Sequence, residues 1–231
     1  MMRNIYAWIA TGLLFLNIAA TGQTDTAQYN FQMWLRGQQV DFSGLNQQAG
    51  DLGLNRLEDL KLDLGFGTVK IDGRKQTGLG FSFSRIDAQD DGKAGEFFFR
   101  QWQLFGQAGY DLIPAKRVWV GPLLRYHLQY SRISLSEQSQ LSNIGQAINN
   151  EVVHLDRFDV PLDLGVSALF FTNKEPSEAG IVIGLQGGYS LSLIDADWKL
   201  EDLVPVSNVG TDFRGWYIEV TFGLSGAKRL F

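Results

Sequence analysis

The chain of 231 residues contains no cysteine, only two histidines and only five prolines. The absence of cysteine excludes a disulfide framework and any thiolate site, so packing and strand pairing must hold the fold together. Two histidines argue against a catalytic zinc site, whose ligands are mostly histidine and cysteine. The 25 acidic and 20 basic residues give a mildly acidic chain without a basic patch for nucleic acid. We therefore expect no metal, no cofactor and no nucleic-acid partner.

Long apolar runs are also missing, except at the N-terminus. Residues Ile5–Ala20 form an apolar stretch that follows Arg3 and leads into small residues ending at Gly22. This arrangement is typical of a secretory signal peptide, so we expect residues 1–22 to be removed and residues 23–231 to form one domain. No later stretch approaches the ~18 apolar residues of a helical membrane span. Any membrane crossing must therefore use strands.

Apolar residues alternate with polar or small residues along much of the chain. In Phe158–Phe170 every second residue is apolar or alanine, whereas Asp159, Asp163 and Ser167 lie between them. Repeated strands with one apolar face and one polar or small face are typical of a transmembrane β-barrel. Such segments are longer than the ~5–6 residues of soluble strands. Eight are predicted, with approximate bounds Tyr29–Phe42, Glu58–Lys70, Thr77–Asp87, Glu96–Asp111, Val118–Ser134, Phe158–Phe170, Ile181–Leu193 and Phe213–Ser225.

The connections alternate between short turns and long loops. The short turns are Asp72–Lys75, Pro114–Arg117 and Thr172–Gly180, and the long loops are Ser43–Leu57, Ala88–Gly95, Leu135–Asp156 and Ala196–Asp212. We therefore predict an all-β fold, an eight-stranded antiparallel up-and-down transmembrane β-barrel with both termini on the short-turn side. Ten strands stay possible, because Ile144–Val153 or Leu203–Val209 could form a further hairpin. Pro122 and Pro161 should each mark a bulge or a strand end.

Aromatic residues near the segment ends predict two interfacial girdles. One girdle comprises Phe97–Phe99, Tyr126, Tyr130 and Trp216, and the other Tyr29, Tyr110, Trp119 and Phe170.

Three local sequence features are shared with a known group of proteins. An acidic Leu-Gly-Leu stretch lies at Gly50–Leu54, a basic turn follows at Gly73–Lys75, and Phe231 ends the chain. In these features, and over essentially its whole mature length, the chain resembles the small bacterial outer-membrane β-barrel proteins, in particular uncharacterised exported eight-stranded barrels. The resemblance implies a bacterial outer-membrane location, periplasmic termini, contact with outer-membrane lipid, and the barrel-assembly machinery as a partner during biogenesis. It is specific for fold and not for activity.

The polar face of the strands predicts a salt-bridged plug inside the lumen. An eight-stranded barrel has room inside only for side chains, and buried charges must pair. A proton or ion path is the alternative. The expected plug residues are Arg36, Lys61, Asp63, Asp111, Arg125, His127, Asp159, Asp163 and Glu219.

The two histidines, His127 and His154, are the candidates for catalysis. Barrel enzymes that modify lipids need a histidine beside a serine or an acid. His127 could meet Ser131 or Asp159, but its parity directs it into the lumen, so a structural histidine is expected and no catalytic residue is assigned.

The long loops are the expected functional region. Apolar side chains in two of them suit docking to another envelope protein, although they could instead cap the barrel by packing on each other. The candidates are Leu141, Ile144, Ile148, Trp198, Leu200, Leu203, Val204 and Val206. The expected function is thus a non-enzymatic structural or interaction component. A membrane enzyme acting on lipid or glycolipid is the first alternative, and a soluble lipocalin-like carrier of an apolar ligand is the second.

Overall fold

A computed structural model of the chain describes residues 27–51, 56–88, 96–113, 115, 117–136, 153–173, 178–194, 196–200, 204–206 and 211–226. The predicted signal peptide and the terminal Phe231 lie outside these residues. No helix within the described ranges is both long and apolar enough to cross a membrane.

Eight long strands form a closed wall. They are β1 (Gln28–Gln39), β2 (Leu60–Asp72), β3 (Lys75–Asp87), β4 (Glu96–Tyr110), β5 (Val118–Ser136), β6 (Val153–Phe171), β7 (Gly180–Ile194) and β10 (Gly215–Ser225). Each strand pairs antiparallel with its neighbour in the chain, and β10 pairs with β1 to close the ring. The predicted eight-stranded up-and-down barrel is confirmed.

Three short elements lie in the long loops at one end of the barrel, the loop end. They are the helix α1 (Ser43–Asp51) and the strands β8 (Trp198–Leu200) and β9 (Val204–Val206). Strand β8 pairs with the beginning of β6, and β9 pairs only with β8. The additional hairpin therefore stands beside the wall and does not enlarge the ring to ten strands.

The two faces of the wall differ in polarity, because side chains alternate across a strand. Along β2, Leu62, Leu64 and Phe66 point outward and are more than half exposed, whereas Lys61 and Asp63 between them are buried. The same alternation recurs on the other strands, so an apolar band surrounds a polar lumen. This arrangement matches a transmembrane barrel. It contradicts the lipocalin-like alternative, in which the apolar face would line the interior.

The two strand prolines mark irregular positions. The β6–β7 register shifts between Val160 and Pro161, as expected of a bulge. The extra residue, Leu193, lies on β7, so the parity of β6 is unchanged; Val160 is nevertheless only 3% exposed. Pro122 lies one residue beyond the last pair of the β4–β5 ladder, Gly109 with Leu123. That ladder ends where proline can donate no hydrogen bond.

Apolar side chains close the lumen at both ends. The loop-end cap consists of Val40, Phe42, Leu45, Ala49, Leu57, Ile86, Phe97, Phe99, Ile133, Leu155, Trp198 and Phe213. The turn-end cluster, at the other end, consists of Val69, Ile71, Trp119, Leu169, Phe171 and Val182. Phe97, Phe99 and Trp119 therefore do not belong to the predicted girdles. Their parity is that of the polar face, so they point into the barrel.

Candidate functional site

A network of buried charges occupies the lumen between the cap and the turn-end cluster. Its centre is Asp163 of β6, which is fully buried and accepts hydrogen bonds from two other strands. Arg36 Nη1 of β1 donates to Asp163 Oδ2 over 2.5 Å. Nε2 of His127, on β5, lies 2.7 Å from the same oxygen. The Arg36 contact thus joins β1 to β6, which are not neighbours in the wall, whereas His127 lies on the strand next to Asp163.

A second pair, Arg125 and Glu219, joins β5 to β10 across the lumen. Arg125 Nη1 donates to Glu219 Oε2 over 2.6 Å, and Nη2 donates to Glu219 Oε1 over 3.0 Å. The guanidinium also donates to the side-chain oxygens of Gln107 and Gln186. Its carbon lies 4.4 Å from the ring centre of Phe105. Such a bidentate, charge-assisted contact is among the stronger hydrogen-bonding arrangements in proteins.

Lys61 and Asp63 of β2 complete the central charges. Their side chains lie 3.2 Å apart, and Asp63 is 3.9 Å from Arg36. Three cations, Arg36, Lys61 and Arg125, are therefore balanced by the carboxylates of Asp63, Asp163 and Glu219. This balance matters because a buried charge without a partner is costly.

Glutamines, which were not among the predicted plug residues, extend the network. Gln103 Nε2 donates to Gln101 Oε1 over 2.7 Å and to Gln129 Oε1 over 2.9 Å. Gln101 also accepts a hydrogen bond from Lys61. Their inward parity is visible in the sequence, but the predicted plug was built from charged and histidine side chains and left out neutral amides. A large aromatic ring also fills the lumen: Trp34 lies against Gly65, where an added Cβ would be 2.4 Å from the ring.

Two of the predicted plug residues lie apart from the central network. Asp111 lies at the turn end, where Oδ1 accepts the backbone N–H groups of Ile113 and Val120. Asp159 lies towards the loop end and accepts a hydrogen bond from Arg157 over 2.8 Å. Arg157 is itself buried and was missed, although its parity equals that of Asp159. All nine predicted plug residues are nevertheless buried.

His127 is not placed beside the partners expected for it. The sequence analysis paired it with Ser131 or Asp159, but the ring contacts Asp163 and packs 5.4 Å from the ring centre of Phe105. Only 1% of its surface is exposed. Buried between a carboxylate and an aromatic ring, His127 has no route to a lipid substrate.

His154 and Ser134 form a second pair at the loop end of β6 and β5. Ser134 Oγ and His154 Nδ1 lie 2.9 Å apart, within the reach required of a nucleophile and its base. However, Ser134 is 1% exposed, so its hydroxyl is not presented to a substrate. Within the described part of the chain, no group of three or more acidic, histidine or cysteine side chains could hold a metal ion.

Among the loop candidates, Trp198 is the one whose side-chain surroundings are described. Only 2% of it is exposed, and its Nε1 donates to Thr211 Oγ1 over 2.9 Å within the loop-end cap. Its burial agrees with the alternative in which such loop residues cap the barrel. Leu200, Val204 and Val206 lie on the β8–β9 hairpin. The remaining candidates, Leu141, Ile144, Ile148 and Leu203, lie outside the described residues.

Comparison with known proteins finds a likeness of fold. No protein-family model and no curated protein sequence matches the chain. The solved structure of Ail, the attachment invasion locus protein of Yersinia pestis, is 13% identical, covers 86% of this chain and 97% of its own, and gives a TM-score of 0.44. Neisserial surface protein A is 12% identical, with coverages of 86% and 96% and a TM-score of 0.43.

The outer membrane protein OprG from Pseudomonas aeruginosa is 11% identical, with coverages of 87% and 95% and a TM-score of 0.39. All three likenesses are of overall fold, at low sequence identity.

Proposed function

We propose that the chain is a non-enzymatic outer-membrane β-barrel that serves as a structural or interaction component. The closed lumen is the observation that carries the proposal. A balanced charge network fills the middle of the barrel, and apolar clusters close both ends. Among the described residues, such an interior supports a lumen without a water-filled passage and without an exposed catalytic group. Function then belongs to the surfaces that the barrel presents.

The proposal includes the setting of the barrel. Residues 1–22 would direct export and be removed, and the barrel-assembly machinery would insert residues 23–231 with both termini in the periplasm. The long loops would then project from the cell surface. Helix α1 and the β8–β9 hairpin support this use of the loop end, because ordered elements hold loops in defined positions for recognition. Another envelope protein would be the partner.

Conductance across planar bilayers tests the closed lumen. The folded full-length mature protein should give no steady channel activity, whereas a porin of 16–18 strands in the same membrane should conduct. Large, uniform channels from this protein would contradict a filled lumen. Heat-modifiable migration on a gel should accompany the recordings, because it shows independently that the barrel has folded.

A partner-capture experiment tests the loops. Trimming residues Ile144–Asn150 should leave the barrel folded and abolish capture of an envelope partner. A version with the same residues replaced by a Gly/Ser linker of equal length separates loss of contacts from loss of loop length. Undiminished capture by both variants would exclude this loop as the docking surface.

An enzyme acting on lipid or glycolipid is a second candidate, favoured by the contact between Ser134 and His154. His154→Gln should leave any lipid-processing activity unchanged if the pair is structural. His127→Gln is the matched control, because that histidine is enclosed in the lumen. Loss of a measurable lipid-processing activity in His154→Gln alone would favour the enzyme.

A further inference from the structure

A row of charged residues, on the parity of the outer face, crosses five adjacent strands near the loop end; its one carboxylate, Asp156, is 4% exposed. Arg85 of β3 is the direct cross-strand neighbour of Arg100 of β4, which neighbours Arg132 of β5. Arg132 in turn neighbours Asp156 of β6, and Asp156 neighbours Lys199 of β8. We call these five residues the cationic row. It contains four cations and one carboxylate.

A row of aromatic side chains lies directly below the cationic row, two residues along each strand towards the turn end. It consists of Phe83, Trp102, Tyr130 and Phe158, again direct cross-strand neighbours. The ring centres of Phe83 and Trp102 are 5.8 Å apart, and those of Trp102 and Tyr130 are 5.6 Å apart. Aromatic belts mark the boundary between hydrocarbon and headgroups. The cationic row therefore lies at headgroup level.

Two of the three arginine side chains, those of Arg85 and Arg100, turn towards the loop end, whereas Arg132 donates a hydrogen bond to the Tyr130 hydroxyl in the aromatic row. The guanidinium carbons of Arg85 and Arg100 lie 5.4 and 4.7 Å from the ring centre of Phe98. Phe98 is two residues beyond Arg100 on β4, towards the loop end. Long basic side chains at a membrane boundary direct their charge towards headgroups in this way. The two guanidinium groups therefore approach the same ring.

The cationic row has more positive than negative charge. Arg85 pairs with Asp87 over 2.7 Å, and Arg132 pairs with Asp156 over 2.7 Å. These two carboxylates face four cations, although the whole chain has a net charge of −5. Arg100, between Arg85 and Arg132, makes no ion pair with any residue that the structure describes. Like charges directly opposite on neighbouring strands destabilise a sheet, so an external anion would stabilise the row.

We propose that the cationic row binds the phosphate groups of a glycolipid headgroup that carries several phosphomonoesters, with the acyl chains lying against the aromatic row. Arginine suits phosphate because its planar guanidinium donates two parallel hydrogen bonds. Strands lie about 4.8 Å apart, so the row spans roughly 19 Å. A headgroup with several phosphates matches that spread of charge better than a singly charged phospholipid. The proposal rests on the membrane insertion proposed above.

Lipid binding to the folded full-length mature protein tests the proposal. In detergent micelles, the protein is titrated with diphosphoryl lipid A, with its dephosphorylated form, with phosphatidylglycerol and with inorganic phosphate. Native mass spectrometry counts the bound lipids. Arg100→Gln should weaken binding of diphosphoryl lipid A by roughly tenfold, the effect of losing one charge-assisted contact. Arg85→Gln/Arg100→Gln/Lys199→Gln should weaken it by a hundredfold or more; Arg132 is kept because it pairs with Asp156.

Arg214→Gln is the matched control. Arg214 pairs with Asp212 over 2.7 Å and is about as exposed as Arg85, 52% against 48%. It precedes β10, which lies opposite β4 in the ring of eight strands. Its replacement should leave lipid binding unchanged.

Three results would overturn the proposal: equal binding of the dephosphorylated lipid, equal binding of phosphatidylglycerol, or undiminished binding by the triple variant. Loss of an envelope protein partner from the triple variant, with lipid binding intact, would also overturn it and assign the row to protein docking. Heat-modifiable migration is measured on every variant. A failure of membrane folding is thereby distinguished from a failure of lipid recognition.

Discussion

Two arginine–carboxylate ion pairs, Arg125 with Glu219 and Arg214 with Asp212, have nearly the same contact distance in very different surroundings. In the lumen, Arg125 and Glu219 approach to 2.6 Å, and 2% and 0% of their side chains are exposed. At the loop end, Arg214 and Asp212 approach to 2.7 Å, and 52% and 38% are exposed. Water and salt screen the second pair but hardly reach the first. Contact distance alone therefore does not rank these interactions; burial does.

The same contrast holds between the lumen and the lipid-facing surface. Ile218 and Val220 flank Glu219 on β10 and are 66% and 39% exposed on the outer face. In lipid that face is stable only while it stays apolar, whereas the lumen is stable only while its charges stay paired. Adjacent residues of one strand are therefore under different requirements: apolar character on the outer face and paired charge in the lumen.

The largest effect is expected from breaking the lumen pair. Glu219→Ala should lower the free energy of unfolding by about 3–5 kcal/mol, because it leaves Arg125 buried without its carboxylate. Reversible denaturant titration of the folded protein in lipid vesicles measures the change.

Two further variants separate charge from packing at this site. Glu219→Gln keeps the shape and should be milder than Glu219→Ala. Replacing both partners, with Arg125→Met and Glu219→Leu, should recover much of the lost stability, since no uncompensated charge remains. A double variant less stable than Glu219→Ala would show that the contribution of the pair to stability goes beyond mutual charge neutralisation.

A charge on the lipid-facing surface should have the next largest effect. Leu164 is 47% exposed on the outer face of β6, next to Asp163 in the lumen. Leu164→Arg should destabilise the barrel by about 2–4 kcal/mol in lipid, the usual penalty near the bilayer midplane. Vesicle insertion and denaturant titration report this change, with Leu164→Ile as the apolar control. Wild-type insertion of Leu164→Arg would mean that this face does not contact hydrocarbon.

Alternation along the sequence predicted the wall well, because it is a local property of strands. It placed Arg36, Asp163 and Glu219 on the face that lines the lumen. It does not describe the end of β7, where the extra residue leaves the consecutive side chains of Leu193 and Ile194 both exposed.

Partners across the lumen were beyond the reach of the sequence. Arg36 meets Asp163 across the lumen because the tilt and stagger of the closed ring decide which side chains meet inside it. His127 meets Asp163, rather than Ser131 or Asp159, through the register of the neighbouring strands β5 and β6, which places Asp163 opposite Arg125. The sequence also could not decide whether Trp198 docks a partner or caps the barrel. Loop residues have no periodic pattern that would indicate whether they fold back onto the barrel. The cationic row was missed because it depends on the register of five strands.

The smallest effect is expected at the exposed pair. Asp212 accepts hydrogen bonds from the backbone N–H and the side chain of Arg214. Partial burial raises the pKa of Asp212, but these hydrogen bonds outweigh it and hold the pKa below its ordinary value. A carboxyl whose pKa is lowered by folding stabilises the protein above the unfolded pKa of about 3.9. That contribution is lost as the pH falls through the lowered pKa. Asp212→Asn should therefore lower the free energy of unfolding at neutral pH by less than about 1 kcal/mol.

The difference between wild type and Asp212→Asn should be constant from pH 7 to about pH 5, shrink below about pH 4, and shrink further at high salt. Denaturant titrations across this range, at low and high ionic strength, measure it. The substitution preserves the backbone hydrogen bonds between Asp212 and Asp41, so it removes the side-chain charge without breaking that backbone contact. A loss as large as that of Glu219→Ala, insensitive to salt, would mean that the loop end shields charge as fully as the lumen does. Burial would then no longer explain the contrast between the two pairs.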